Sequence, residues 1–183
     1  MGIRDATKTM LAQALDDLLK TTPLQKVSVK SLCEQCGAER QTFYYHFKDI
    51  LDVIEWTYEI DLVETAKKCS EMRDIQASIK MFADEIVKHY PEMRRLLSSK
   101  YRTETEMILL RSLRKFFGLI IKAKYSDIDY NETQKKFIVD FFVCGMVAYF
   151  IEHCFSSQAT DTETFSKEIY KLVISRINNK GSD

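Results

Sequence analysis

SVKSLCEQCGAERQTFYYHFKDILDVI, residues 28–54, holds two short helical patterns on either side of a turn at Cys36-Gly37-Ala38. Val29, Leu32, Cys33 and Cys36 recur at the i, i+3, i+4, i+7 spacing of one buried helix face. Gly37 supplies a residue that can adopt positive φ, as a tight helix-to-helix turn requires. In the next helix Phe43 and Phe47 are four apart and share a face. The opposite face carries Gln41, Thr42 and Tyr45, with Arg40, Tyr44, His46 and Lys48 around its rim. A helix anchored by two phenylalanines and presenting hydrogen-bonding side chains outward is how a helix-turn-helix reads the major groove.

These residues carry a family resemblance. The opening Ser28-Val29-x-x-Leu32, Gly37 in the turn, the block Thr42-Phe43-Tyr44-Tyr45-His46-Phe47 and the start of the following helix resemble the DNA-binding motif of TetR-family transcriptional regulators, over roughly residues 5–52. The run Arg40 to Phe47, followed by Glu55-Trp56 and Tyr58-Glu59, is similar to one branch, which includes activators of dihydroxyacetone kinase operons. The resemblance implies that Gln41, Thr42 and Tyr44 reach base edges or the sugar–phosphate rim, and that Tyr45 meets backbone or a thymine methyl. His46 and Lys48 would meet phosphates, as would Ser28, Lys30 and Ser31 at a helix start whose free N–H groups favour anions. One position departs from the family pattern. Where a lysine commonly follows Phe-Lys-Asp, this chain has Ile50, which implies one backbone contact fewer.

Composition sets the outer limits. The chain has 183 residues, 45% of them hydrophobic and 11% aromatic, enough for a substantial core. Five Gly and two Pro argue for long helices with few tight turns. Net charge is zero, and residues 1–50 carry 7 Lys/Arg against 6 Asp/Glu. Bulk attraction to DNA is therefore weak, and affinity has to come from placed contacts and from two copies binding together. That near-neutral head, with Ile50, also motivates an alternative: a helical protein–protein adaptor or co-regulator with little DNA binding of its own.

Met1 to Lys20 is amphipathic and lacks the apolar segment of a secretory signal. No run approaches ~18 uncharged apolar residues, so no membrane span is expected. Five cysteines, odd in number and scattered on apolar faces, suit a reducing cytoplasm.

The periodicity predicts an all-α chain of about nine helices: a three-helix DNA-binding unit over residues 1–50, then a helical effector-binding and dimerisation unit over 51–183. Pro23 closes the first helix. Asp49 suits the N-cap of a long fourth helix, and Pro91 the first turn of a short sixth. The eighth, Asn131 to Phe155, is the most apolar. In the resembled family the last two helices pair into a four-helix dimer interface. The resemblance thus points to Phe142, Gly145, Met146, Tyr149, Phe165, Ile169, Leu172 and Val173, with Gly145 permitting close helix approach. Family members often carry a tryptophan near the end of the eighth helix, where this chain has His153-Cys154.

Candidates for lining an effector pocket are Trp56, Phe82, Ile86, His89, Tyr90, Met107, Phe116, Phe117 and Phe141. A filled core accounts for each of them equally well, and in the dihydroxyacetone-type branch the effector is implied to be a protein. Cys33-x-x-Cys36 lies on an inner helix face with no second pair at zinc spacing, so no metal or cofactor is expected. G-x-S-x-G, H-E-x-x-H, a Walker loop and G-x-G-x-x-G are all absent, which argues against an enzyme.

Overall fold

The computed structural model describes residues 6–124, 130–155 and 162–178, with side chains in the last segment described for residues 163–171. Among these residues nine α-helices and one 3₁₀ turn account for the regular structure, and there is no strand. The helices are α1 Ala6–Thr21, α2 Val29–Cys36, α3 Arg40–His46, α4 Ile50–Glu71, α5 Ile75–Lys88, α6 Tyr90–Leu97, α7 Arg102–Lys124, α8 Glu132–Phe155 and α9 Thr162–Asn178. The 3₁₀ turn, Leu24–Lys26, was not expected; it follows Pro23 and drives Leu24 into the core between α1 and α2.

Several helix ends have a local cause. Ser28 and Ser31 form a reciprocal capping box on α2, with Ser31 N donating to Ser28 Oγ at 3.1 Å and Ser28 N to Ser31 Oγ at 2.9 Å. α2 stops at Gly37, whose φ of 69° is the one positive value among the described residues. Asp49 caps α4 by accepting from Asp52 N at 3.0 Å, and Asp74 caps α5 through Gln76 N and Ala77 N. His89 ends α5 and begins α6, which places Tyr90 in α6.

α1, α2 and α3 pack around Leu11, Leu15, Leu32, Cys33 and Phe43. α4 leaves this group and runs along α7 and α5. Its first buried residues, Val53 and Ile54, complete the core beneath α3, while Tyr58, Leu62 and Ala66 pack into the larger bundle. α4 therefore contributes along its length to one continuous buried cluster that runs from α1 to α8. α7 also packs on α6 and α8, and α9 packs on α5.

α8 is the exception to orderly burial. Val143, Val147 and Cys154 face inward, and Asp140 pairs with Arg114 of α7 at 2.7 Å. Its other side exposes Phe137, Phe141, Phe142, Tyr149 and Phe155. By length and composition alone α8 is apolar enough to cross a membrane, contrary to the expectation that no segment is; only 22% of its most apolar window is buried. The ion pair and the inward residues tie it to the bundle on one side and leave an apolar face on the other.

Candidate nucleic-acid interface

α3 is built from the inside out. Phe43 has no exposed surface and Phe47 almost none; their rings lie 6.0 Å apart and pin the helix to α1 and α4. Trp56 of α4 meets Phe47 edge-on at 5.9 Å, and Lys8 of α1 lies over both rings. This fixes which face of α3 looks outward. Tyr45 is 85% exposed and Tyr44 54%, and Gln41, Arg40 and Lys48 are exposed beside them. Thr42 and His46 are half-buried at the edges, with the His46 ring edge-on to Tyr45 at 4.9 Å. Amide, phenol and cationic groups thus share the exposed side of α3.

At the start of α2, Lys30 is exposed and pairs loosely with Glu34 at 3.8 Å. Ser28 and Ser31 are occupied with each other in the capping box, which takes up the Ser28 and Ser31 N–H groups and fixes the start of α2. Ile50 is half-buried against the core and adds packing where a surface lysine would add charge.

A second feature lies in the bundle. A cavity of about 50 Å³ is lined by α4, α5, α6, α7, α8 and α9. That volume has room for only one or two waters at ~30 Å³ each, against roughly 300–1,000 Å³ for ligand pockets. Of the pocket candidates, Ile86, His89 and Tyr90 line it, together with Tyr58, Leu62, Met93, Ile108 and Phe150, which sequence reasoning did not single out. Phe82, Phe116 and Phe117 stack on one another at 4.6–5.5 Å as packed core beside it. Trp56, Met107 and Phe141 do not line it: Trp56 packs under α3, and Met107 and Phe141 face outward. The apolar spacing that suggested them marks core and interface as readily as pocket.

Of the residues expected at a subunit interface, Phe142, Gly145 and Tyr149 are exposed on α8. Met146 lies inward at the cavity, and Phe165 and Ile169 of α9 are half-buried, Phe165 stacking on Tyr149 at 5.8 Å. Leu172 and Val173 fall outside the described side chains.

No protein-family model matches the chain. A transcriptional activator of the dhaKLM operon, DhaS of Lactococcus lactis subsp. lactis (strain IL1403), is 29% identical over 58 residues, which are 32% of this chain and 31% of that protein. The match therefore spans about a third of that relative's length. In solved structures the likeness extends over nearly the whole chain. A dihydroxyacetone kinase operon activator superposes with a TM-score of 0.68 at 18% identity, covering 94% of this chain and 97% of that one. A TetR-family repressor, AlkX of Dietzia sp. strain DQ12-45-1b, superposes with a TM-score of 0.54 at 12% identity, covering 97% and 98%.

The fold is that of the TetR-family regulators.

A fatty acid degradation regulator, FadR from Bacillus halodurans, matches it as well, with a TM-score of 0.57 at 12% identity over 93% and 96% of the two chains.

Proposed function

We infer that this chain is a sequence-specific DNA-binding transcriptional regulator that acts as a homodimer on a palindromic operator. The observation that carries this is α3: two buried phenylalanines hold it, while Gln41, Tyr44 and Tyr45 stand outward in a frame of Arg40 and Lys48. Tyr44 meets Phe43 edge-on at 5.4 Å yet stays half exposed, Tyr45 is almost wholly exposed, and adjacent exposed tyrosines are costly on a bare surface. Against DNA each supplies an apolar ring for a thymine methyl and a hydroxyl for phosphate. The bacterial regulators it resembles make a cytoplasmic protein the consistent reading.

The outer face of α8 supports the second copy. Phe137 and Phe141 are each 68% exposed and stack on one another. Gly145 lies near the middle of the helix, and a Cβ there would meet nothing within 4 Å in its own subunit. A mid-helix glycine costs about 1 kcal/mol relative to alanine, and close approach of a second α8 gives that cost a purpose. The head alone is nearly neutral, so two heads on half-sites about 34–36 Å apart supply the affinity that one lacks.

Control of DNA affinity runs through α4, which touches the core under α3 at Val53 and Trp56 and the cavity at Tyr58 and Leu62. An effector that favours one tilt of α4 shifts the population of DNA-competent dimers. The experiment is fluorescence anisotropy of labelled duplex DNA against wild type, Tyr44→Ala and Lys48→Ala, each checked for helicity. Salt-dependent binding by the wild type, weakened in both variants, is expected. Equal affinity in all three would overturn the assignment of α3.

A further inference from the structure

Three ligand atoms converge where α4 meets the junction of α5 and α6. His89 Nε2 lies 3.1 Å from Glu85 Oε1 and 3.4 Å from Asp61 Oδ2, and ligand atoms of all three residues fall within 4.8 Å of one another. Donors bound at about 2.0–2.2 Å to a tetrahedral ion stand roughly 3.3–3.6 Å apart, so these side chains need move little to share one. The three are shielded but reachable, with side-chain exposures of 26%, 20% and 17% for Asp61, Glu85 and His89.

A cation already sits on this spot. Lys88 Nζ lies 3.0 Å from the same Glu85 Oε1 and 3.3 Å from the same Asp61 Oδ2. Two carboxylates, one ammonium and a neutral imidazole leave one negative charge uncompensated. A divalent ion in place of the ammonium leaves none, and the Lys88 side chain, 58% exposed, can turn into water. Tyr58 backs the cluster: its ring meets His89 edge-on at 4.8 Å, while its buried hydroxyl lies toward Glu92 of α6.

We propose that Asp61, Glu85 and His89 form a binding site for a first-row divalent transition ion, which displaces Lys88. One imidazole nitrogen with two carboxylate oxygens suits Co²⁺ or Zn²⁺ better than Mg²⁺, which prefers oxygen alone. The ion bridges α4 to the end of α5 and so replaces a flexible lysine contact with a fixed one. That the ion acts as an effector rests on the regulator reading above; that it binds does not.

The test uses the full chain, stripped of metal by a chelator and titrated with CoCl₂ while the absorption spectrum is followed. One Co²⁺ per chain is expected, without the near-ultraviolet charge-transfer band that thiolate ligation by the five cysteines would give. His89→Ala and Asp61→Asn should each weaken binding by about tenfold or more, since even outer-sphere changes cost that much. Lys88→Ala should tighten it, and His153→Ala should leave it unchanged. A simple ion-pair cluster behaves differently: removing Lys88 gives it no metal affinity. Absence of binding, a thiolate band, or affinity indifferent to His89→Ala and Lys88→Ala overturns the site. DNA affinity is then compared with and without CoCl₂. Binding through these residues that leaves DNA affinity unchanged keeps the site and overturns its regulatory role. A chain that binds no DNA at all overturns the regulator reading, while the titration still decides the site.

Discussion

Arg111 on α7 holds Glu55 on α4 in a fork, with Nε donating to Oε1 at 2.6 Å and Nη2 to Oε2 at 2.7 Å. One turn further along, Lys115 pairs with Glu59. These contacts sit on the part of α4 between Val53 and Leu62, where, on the proposed reading, they would bias its tilt. Both partners of the fork are partly exposed, and such pairs stabilise a fold by no more than about 1 kcal/mol. Arg111→Ala is therefore expected to leave the thermal midpoint nearly unchanged and still alter operator affinity, measured by anisotropy. A large fall in stability with no effect on DNA would assign the fork to packing alone.

Inside and outside of α3 should respond oppositely. Phe43→Ala removes a fully buried ring and is expected to cost about 3–5 kcal/mol by chemical denaturation. Tyr45→Ala removes an exposed one and should stay within about 0.5 kcal/mol of wild-type stability. The same Tyr45→Ala change is expected to weaken operator binding by roughly 1–3 kcal/mol.

The α8 face predicts both an assembly and a protection pattern. If α8 carries the proposed dimer interface, Gly145→Glu should convert dimer to monomer in sedimentation, because it places a charge on that exposed face. Cys144, exposed beside Gly145, should be alkylated readily in dilute protein and more slowly as concentration rises. Cys154 serves as the internal reference: burial, partly offset by Arg94, pushes its thiol up to about 11, and it should react only on unfolding. A Gly145→Glu chain that still sediments as a dimer would place the interface elsewhere.

Acid should weaken the α4–α5 junction. Burial disfavours ionised Asp61, but His89 and Lys88 outweigh burial and hold its carboxyl below the ordinary value. A carboxyl with a depressed pKa stabilises the fold above its unfolded pKa, and that contribution is lost as pH falls through the folded one. Thermal midpoints are therefore expected to drop below about pH 4, and less steeply in Asp61→Asn. Identical acid limbs would mean that the junction bears no such load.

Local signals survived the step from sequence to structure, and long-range ones did not. Ser28, Gly37, Asp49 and Pro91 act within a turn of where they stand, so the ends of α2, α4 and α6 were legible. Phe43 and Phe47, four apart, gave the inner face of α3. Trp56 shows the limit: its apolar ring suits a pocket or a core, and only the approach of Phe47 and Lys8 decides between them. Glu85 and His89 are four apart and visible as neighbours on one helix. Asp61 joins them only because α4 packs on α5, which no local pattern records.

The most direct measurement is selection of bound sequences from a random duplex pool by the purified chain at low salt. The account predicts enrichment of a two-fold palindrome with half-sites about one helical turn apart, lost on Gly145→Glu and on Tyr44→Ala. Enrichment of nothing, with no salt-dependent binding to any duplex, would contradict it and leave a helical adaptor as the better reading.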